Sequence, residues 1–300
     1  MALSIFAYMM SPHIWNYSDN FAKMGTMRIL DGLELRGYIQ ERQAKQVRAL
    51  RQSWRVIPKL AIVQTIDDAV IDTYVRMKKA YGADILIDVD IHKIDQKDLM
   101  SLIDELNKDD SVHGIITQLP LADKTQTDEA VNSIAPEKDV DGLGENSTLT
   151  PATAMAIDWL IAGYNVDLKG KVISIIGKGR LVGAPLYDIW HNAGYNVTMY
   201  NSKTPVAEAV KDADVIVTAT GVPSLINASM IKPGTVVVDA GTAAEHGKVV
   251  GDLAPDVRDL DDITVTPIKG GVGPLTVSAL FDNVIRVATA IADKQGQQDI

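Results

Sequence analysis

Between Lys171 and Pro185 the chain reads Lys-Val-Ile-Ser-Ile-Ile-Gly-Lys-Gly-Arg-Leu-Val-Gly-Ala-Pro, and this stretch limits the possible folds more than any other. Val172 to Ile176 is an apolar run rich in β-branched side chains. Gly177, Gly179 and Gly183 follow at G-x-G-x-x-x-G spacing, and a helical pattern then begins. Strand, glycine turn and helix in that order is what a dinucleotide pyrophosphate requires. Glycines let the backbone approach the phosphates, and a helix N-terminus turns free N–H groups and partial positive charge toward them. The spacing is looser than the usual fingerprint, and alone it also fits a strand-turn-helix that binds nothing. The rest of the chain has to decide.

Three hundred residues suit two α/β domains of ordinary size, and 46% apolar with 23% charged residues is a globular composition. No apolar run reads as long enough to span a bilayer. The absence of cysteine excludes a disulfide framework and thiolate chemistry, and it fits a reducing cytoplasm. A net charge of −10 argues against nucleic acid as a partner, so an anionic ligand must find local positive charge. No metal ligand set is assigned. Residues 1–26 match neither a secretory signal nor a transit peptide, and they are expected to be an extension ahead of a domain that starts at Met27.

From there strand and helix signals alternate. Leu33 to about Trp54 is a polar helical segment and Leu60–Val63 a short buried strand. Asp67-Asp68 then open a helix to about Tyr81, because acidic residues suit a helix N-terminus. Its apolar stripe is expected to include Val70, Ile71, Tyr74, Met77 and Tyr81. Lys78 falls within that stripe, where it either snorkels out or points into a site. Ile85–Val89 is the next strand, Gln96–Asn107 a helix, Gly114–Gln118 a strand and Thr127–Ile134 a short helix. Thr150 as N-cap and Pro151 at the first helical position start a helix to about Gly163. Past the glycine stretch come helix Ala184–Ala193, strands Asn196–Tyr200, Val215–Ala219 and Thr235–Asp239, and a final helix from Thr276 to about Ala292. The alternation predicts an α/β chain with largely parallel sheets.

Dinucleotide folds that use NAD usually place Asp or Glu at the end of the second strand. Here that strand ends Tyr200-Asn201-Ser202-Lys203, with no acid. Ser202 and Lys203 would accept a 2′-phosphate that a carboxylate would repel, and Lys178 and Arg180 add cations at the same end. These residues favour NADP, with NAD still possible. Tyr74-x-x-x-Lys78 also matches the catalytic pair of short-chain dehydrogenases, but there the cofactor glycines precede the pair. In this chain the pair comes about a hundred residues before Gly177. A catalytic domain ahead of a nucleotide domain also occurs in shikimate-type dehydrogenases, so the order does not settle the substrate.

Several stretches together resemble the methylenetetrahydrofolate dehydrogenase/cyclohydrolase family. They are Tyr74-Val75-x-x-Lys78, Val112-His-Gly-Ile-Ile-Thr-Gln118-Leu-Pro-Leu121 and Pro136-Glu-Lys-Asp-Val-Asp141-Gly142. Then come Gly177-x-x-x-x-Val182-Gly183-x-Pro185, Ser202-Lys-Thr204, Gly247-Lys-Val-Val-Gly-Asp252 and Gly270-Gly-Val-Gly-Pro-Leu-Thr276. The resemblance implies two domains. Residues 27–150 with 276–300 would form a folate-binding catalytic α/β domain, and 151–275 a Rossmann-type nucleotide-binding domain, with the last helix returning to the first domain. It also implies a cytoplasmic homodimer.

By the same resemblance the substrate is a reduced folate carrying a one-carbon bridge between two nitrogens. The dehydrogenase step removes a hydride from that carbon, and the cyclohydrolase step adds water to it. Lys78 would move the proton, Gln118 would hold Lys78, Tyr74 would wall an aromatic ring of the substrate, and Asp141 would bind the pterin nitrogens. Gly271 and Pro274 would line the substrate. Gly177, Lys178, Gly179, Arg180, Val182, Gly183, Ser202, Lys203 and Thr204 would line the nucleotide. A free lysine is a poor base at neutral pH, and burial in the tyrosine stripe is expected to lower its pKa. The chain departs from the family pattern at Ile71, at Pro151-Ala-Thr-Ala154, at Lys178-Gly179, at Lys269, at Asp239-Ala-Gly-Thr-Ala243 and in a shortened loop from Gly142 to Pro151. A non-catalytic folate- or nucleotide-binding paralogue and a dehydrogenase of another small substrate are the competing readings.

Overall fold

Short β-branched runs alternate with capped, polar-faced segments throughout the computed structural model, which describes residues 27–245 and 248–298. Residues 1–26 and Gly247 lie outside the described residues. In chain order β1 (Arg28–Ile29) leads to α1 (Gly32–Ala49), β2 (Lys59–Gln64), α2 (Ala69–Asp84), β3 (Asp88–Lys93), α3 (Leu99–Lys108), β4 (Gly114–Thr117) and α4 (Thr127–Asn132). Next are α5 (Ala152–Gly163), β5 (Val172–Ile176), α6 (Gly183–Asn192), β6 (Asn196–Tyr200), α7 (Val206–Val210), β7 (Val215–Thr218) and β8 (Val236–Asp239). A hairpin of β9 (Ala243–Glu245) and β10 (Lys248–Val250), then β11 (Thr264–Val265) and the long α8 (Val272–Gln298), end the order.

The chain divides into two compact units. One holds residues 31–166, 179–186 and 267–298, and the other 27–30, 167–178 and 187–266. The division is less linear than the expected 27–150 with 276–300 and 151–275. Helix α5 belongs with the first unit because it packs on α8 and α1, and burial outranks sequence continuity.

In the first unit β3, β2 and β4 form a parallel sheet with β2 in the middle. Leu99, Ile103 and Leu106 of α3 and Ile134 pack against Ala61, Val63 and Ile115 on one face. Helices α2 and α8 cover the other face, where Tyr81 and Phe281 lie with ring centroids 5.2 Å apart. Asp68 caps α2 by accepting from the backbone of Val70 and Ile71. The buried face of α2 is Ile71, Val75, Tyr81 and Gly82, whereas Val70, Tyr74 and Met77 are exposed, a rotation from the expected stripe. Gly82 lies on the buried face and lets α2 approach β3 closely: a Cβ there would stand 2.5 Å from Val89 Cγ2.

The expected strand at Ile85–Val89 starts later, at Asp88. Helix α2 runs on to Asp84, and the chain reverses through Leu86 at φ 66. Pro151, not Thr150, is the N-cap of α5, and the Thr150 carbonyl instead accepts from Asn283 Nδ2 at 2.9 Å. The final helix also begins earlier than Thr276. Val272–Lys294 is long and apolar enough, by length and composition, to cross a membrane, contrary to the sequence reading. Its apolar window is 72% buried within the protein, as befits a core helix.

In the second unit six parallel strands run in the order β1-β11-β8-β7-β5-β6. Ile176, Val210, Ile216, Val237 and Val265 belong to its core. The chain leaves β5 through Gly177 at φ +112, where a Cβ would lie 2.6 Å from the Ala219 carbonyl oxygen. Only glycine tolerates both the dihedral and the approach. Gly177→Ala is therefore expected to cost about 2–3 kcal/mol, read as a lowered thermal midpoint with weakened NADP binding in calorimetry.

Candidate active site

The carboxyl edge of the three-stranded sheet carries the first group of candidate side chains. Gln118 directly follows β4, and its backbone N–H donates to Val63 O at 2.8 Å, which extends the sheet register by one residue. From α2, Lys78 Nζ donates to Gln118 Oε1 at 2.8 Å. Gln118 Nε2 donates in turn to Leu119 O at 3.0 Å, so the amide is oriented with its carbonyl toward the lysine. Lys78 as a residue is half-buried, but its ammonium is enclosed by protein. Burial pushes the ammonium below the ordinary lysine pKa, and the Asp141 carboxylate opposes that shift. Tyr74, one turn earlier on α2, is 40% exposed, unlike the buried place expected for it in the tyrosine stripe. Tyr81 is fully buried and donates its hydroxyl to Gln43 Oε1 at 2.7 Å.

The loop from Pro136 to Gly142 is built to present Asp141. Lys138 Nζ caps the end of α3 by donating to the carbonyls of Leu106, Asn107 and Asp109 at 3.2, 2.9 and 2.8 Å. Asp139 is the turn-capping aspartate, accepting from the backbone of Gly142 at 3.1 Å and Gly144 at 2.8 Å. Gly114 admits the loop, because a Cβ there would stand 2.7 Å from Val140 Cγ1. Buried Asn283 of α8 then clamps it by donating to Val140 O at 2.8 Å and Thr150 O at 2.9 Å. Asp141 is left without a hydrogen bond among the described residues. Burial raises its pKa, the Lys78 ammonium lowers it and the Asp139 carboxylate raises it. Asn283 escaped the sequence reading, although an asparagine inside the apolar run of the last helix is the kind of signal that marks a buried polar contact.

The chain matches the catalytic-domain model of the tetrahydrofolate dehydrogenase/cyclohydrolases over residues 30–141, and their NAD(P)-binding-domain model over 151–292. The chain belongs to that family. It is 35% identical over 279 residues to the bifunctional protein FolD of Bacillus subtilis, covering 88% of this chain and 98% of the relative. The crystal structure of the bifunctional dehydrogenase/cyclohydrolase FolD of Campylobacter jejuni superposes with a TM-score of 0.83 at 34% identity, covering 88% of this chain and 99% of that one. That of Trypanosoma brucei FolD, complexed with NADP cofactor and inhibitor, gives 0.82 at 29% identity, with 89% and 99% covered.

Folate dehydrogenases of this family need a dinucleotide, and the glycine turn fits one. At Gly179 a Cβ would meet no protein atom within 4 Å, so the backbone there faces open space. Helix α6 starts at Gly183, with Val182 half-buried just before it. At the end of β6, Asn201 accepts from Lys203 N at 2.9 Å and its carbonyl accepts from Thr204 N at 3.1 Å, a turn that leaves Ser202 and Lys203 exposed. Lys178 is exposed as well. Arg180 differs from its expected part as a free cation, because its guanidinium is paired with Asp128 of α4. Both partners are well exposed, so the pair is weak. Gly271 is buried just ahead of α8, its carbonyl so close to Gly32 that a Cβ there would lie 1.8 Å away, and Pro274 is half-buried in the first turn of α8.

Proposed function

We propose that the chain performs both reactions of its family, oxidising 5,10-methylenetetrahydrofolate with NADP and hydrolysing the methenyl product to 10-formyltetrahydrofolate. The observation that carries the reading is the Lys78–Gln118 hydrogen bond on one sheet edge, with a hydrogen-bond-free carboxylate at Asp141 electrostatically coupled to the same lysine. The competing non-catalytic paralogue would have no use for an enclosed lysine so held.

Asp141 binds the amidine-like edge of the pterin, accepting two N–H bonds. Exposed Tyr74 walls a ring of the substrate, and Gly271 and Pro274 line it. A bound NADP would supply the hydride acceptor; the residues of this site hold the bridge carbon in place for it, while a substrate nitrogen lone pair would stabilise the cation left behind. That step needs positioning more than proton transfer. Gly177, Lys178, Gly179, Val182 and Gly183 hold the pyrophosphate end. Ser202, Lys203 and Thr204 would face the 2′-phosphate, and Arg180 stands in the same glycine turn as the pyrophosphate residues, paired with Asp128.

In the hydrolytic step Lys78, as the neutral amine, takes a proton from the water that attacks the methenyl carbon. The departing nitrogen takes that proton as its bond to carbon breaks. The hydroxyl left on carbon releases its own proton and becomes the formyl carbonyl, so one proton is released overall. The homodimer and cytoplasmic location that the resemblance implies belong to the same proposal and rest on family membership.

The testing assay offers methylenetetrahydrofolate with NADP or NAD and follows absorbance of the methenyl product and the reduced nucleotide. Turnover with NADP ahead of NAD is expected. Turnover with neither would sink the reading, and a preference for NAD would move the error to the Lys178-Gly179 turn.

A further inference from the structure

We propose that Gln64 holds the water consumed in the hydrolytic step. The inference rests on the folate reading above. Gln64 ends β2 and is 1% exposed. Its Nε2 donates to Ile66 O at 2.6 Å and to Asp72 Oδ1 at 2.7 Å. Both partners only accept, so the amide cannot turn over, and Oε1 is fixed as a pure acceptor. Among the described residues no donor reaches that buried oxygen. A buried acceptor with no partner is costly, and water is its usual partner where polar groups converge. Asp72 is itself held as a carboxylate: the bond from Gln64 and the Lys93 ammonium at 2.8 Å keep its pKa low.

Two observations place Gln64 on the side of the sheet where Gln118 holds the lysine. Val63 pairs with Thr117 in register, so Gln64 and Gln118 are lateral neighbours that face the same side of the sheet. Both glutamines also bond to α2, Gln64 to Asp72 and Gln118 to Lys78. Neighbouring strands lie about 4.8 Å apart. One water spans two hydrogen bonds, roughly 5.5 Å in all, so a water held by Gln64 Oε1 spans far enough to reach the neighbouring strand's Gln118 and the lysine it holds. A neutral Lys78 would then take the proton of a water already oriented by Gln64. The hydride step uses no water, and this separates the role from that of a clamp on α2, whose loss would injure both reactions.

The test measures methenyltetrahydrofolate hydrolysis and NADP-dependent dehydrogenation side by side across pH. It uses the wild-type chain, Gln64→Met, and a double variant that joins Gln64→Glu to Asp72→Asn. The double variant keeps a bond between residues 64 and 72 with donor and acceptor exchanged, and it retains an acceptor oxygen. Gln64→Met should lower the hydrolysis-to-dehydrogenation ratio at least about tenfold. In the double variant the added carboxylate should raise the Lys78 pKa and move the rising limb of the hydrolysis profile to higher pH. A parallel fall of both activities in Gln64→Met means a clamp only and overturns the inference, as does an unchanged ratio. If Gln64→Met does not fold, an unshifted pH limb in the double variant overturns it instead. A wild-type chain without folate turnover overturns the folate reading and this inference with it; an active wild type with an insensitive ratio overturns this inference alone.

Discussion

Lys78→Met is expected to lower hydrolysis of methenyltetrahydrofolate by about 10²–10⁴-fold, the usual contribution of a positioned proton-transfer group. Methionine keeps an unbranched stem of four heavy atoms and removes only the ammonium, so α2 stays seated through Ile71, Val75 and Gly82, and NADP binding should be unchanged in calorimetry. The pH profile should show the same loss. The reactive form is the neutral amine, so wild-type hydrolysis rises as pH passes the Lys78 pKa, which burial holds below the ordinary lysine value. The variant should lack that limb. Stability carries a matching signature. Between the lowered folded pKa and the ordinary lysine value the unfolded chain binds the extra proton, so the stability contributed by Lys78 rises with pH across that window. Denaturant titrations at two pH values inside it should show this slope in the wild type and a flatter one in the variant. A variant that hydrolyses normally would refute the assignment.

Asp141→Asn is expected to raise KM for folate in both reactions by about 10–100-fold, equivalent to losing one or two charge-assisted hydrogen bonds. The loop itself should survive, because Lys138, Asp139 and Asn283 hold it and none of them bonds to the Asp141 side chain. A second effect separates Asp141 from an ordinary binding residue. Its charge raises the Lys78 pKa, so removing it should move the hydrolysis limb to lower pH while KM rises. Steady-state kinetics over a pH series read both effects together. An unchanged KM would mean that the pterin edge is bound elsewhere.

Much of this was legible in the residues. The order of β-branched run, glycines and helix announced the dinucleotide turn, and Gly177 proved to need the dihedral that only glycine supplies. The Asp68 cap and the β6 boundaries also followed from local pattern, and the Lys78–Gln118 pairing from the family resemblance. Where the reading slipped, a distant partner had overruled a local preference. Gly82 packs against Val89 on the buried face of α2 while Tyr74 stays exposed, and Asn283, 133 residues away, took the Thr150 carbonyl. Arg180 looked like a free cation because nothing near it in sequence reveals Asp128.

The sequence by itself determined the alternation of elements and the glycine turn, because dihedral preference and hydrophobic period act over a few neighbouring residues, while Lys78, Gln118 and Asp141 were singled out by the family their motifs resemble. The tertiary structure alone decided which aspartate caps the loop and which is left without a hydrogen bond among the described residues. It also decided that Lys78 is enclosed beside Asp141, and that Gln64 ends in a buried acceptor with no donor. Burial and hydrogen-bond partnership depend on residues that are distant in the chain and adjacent only after packing, and those are the terms that set a pKa or leave an oxygen free.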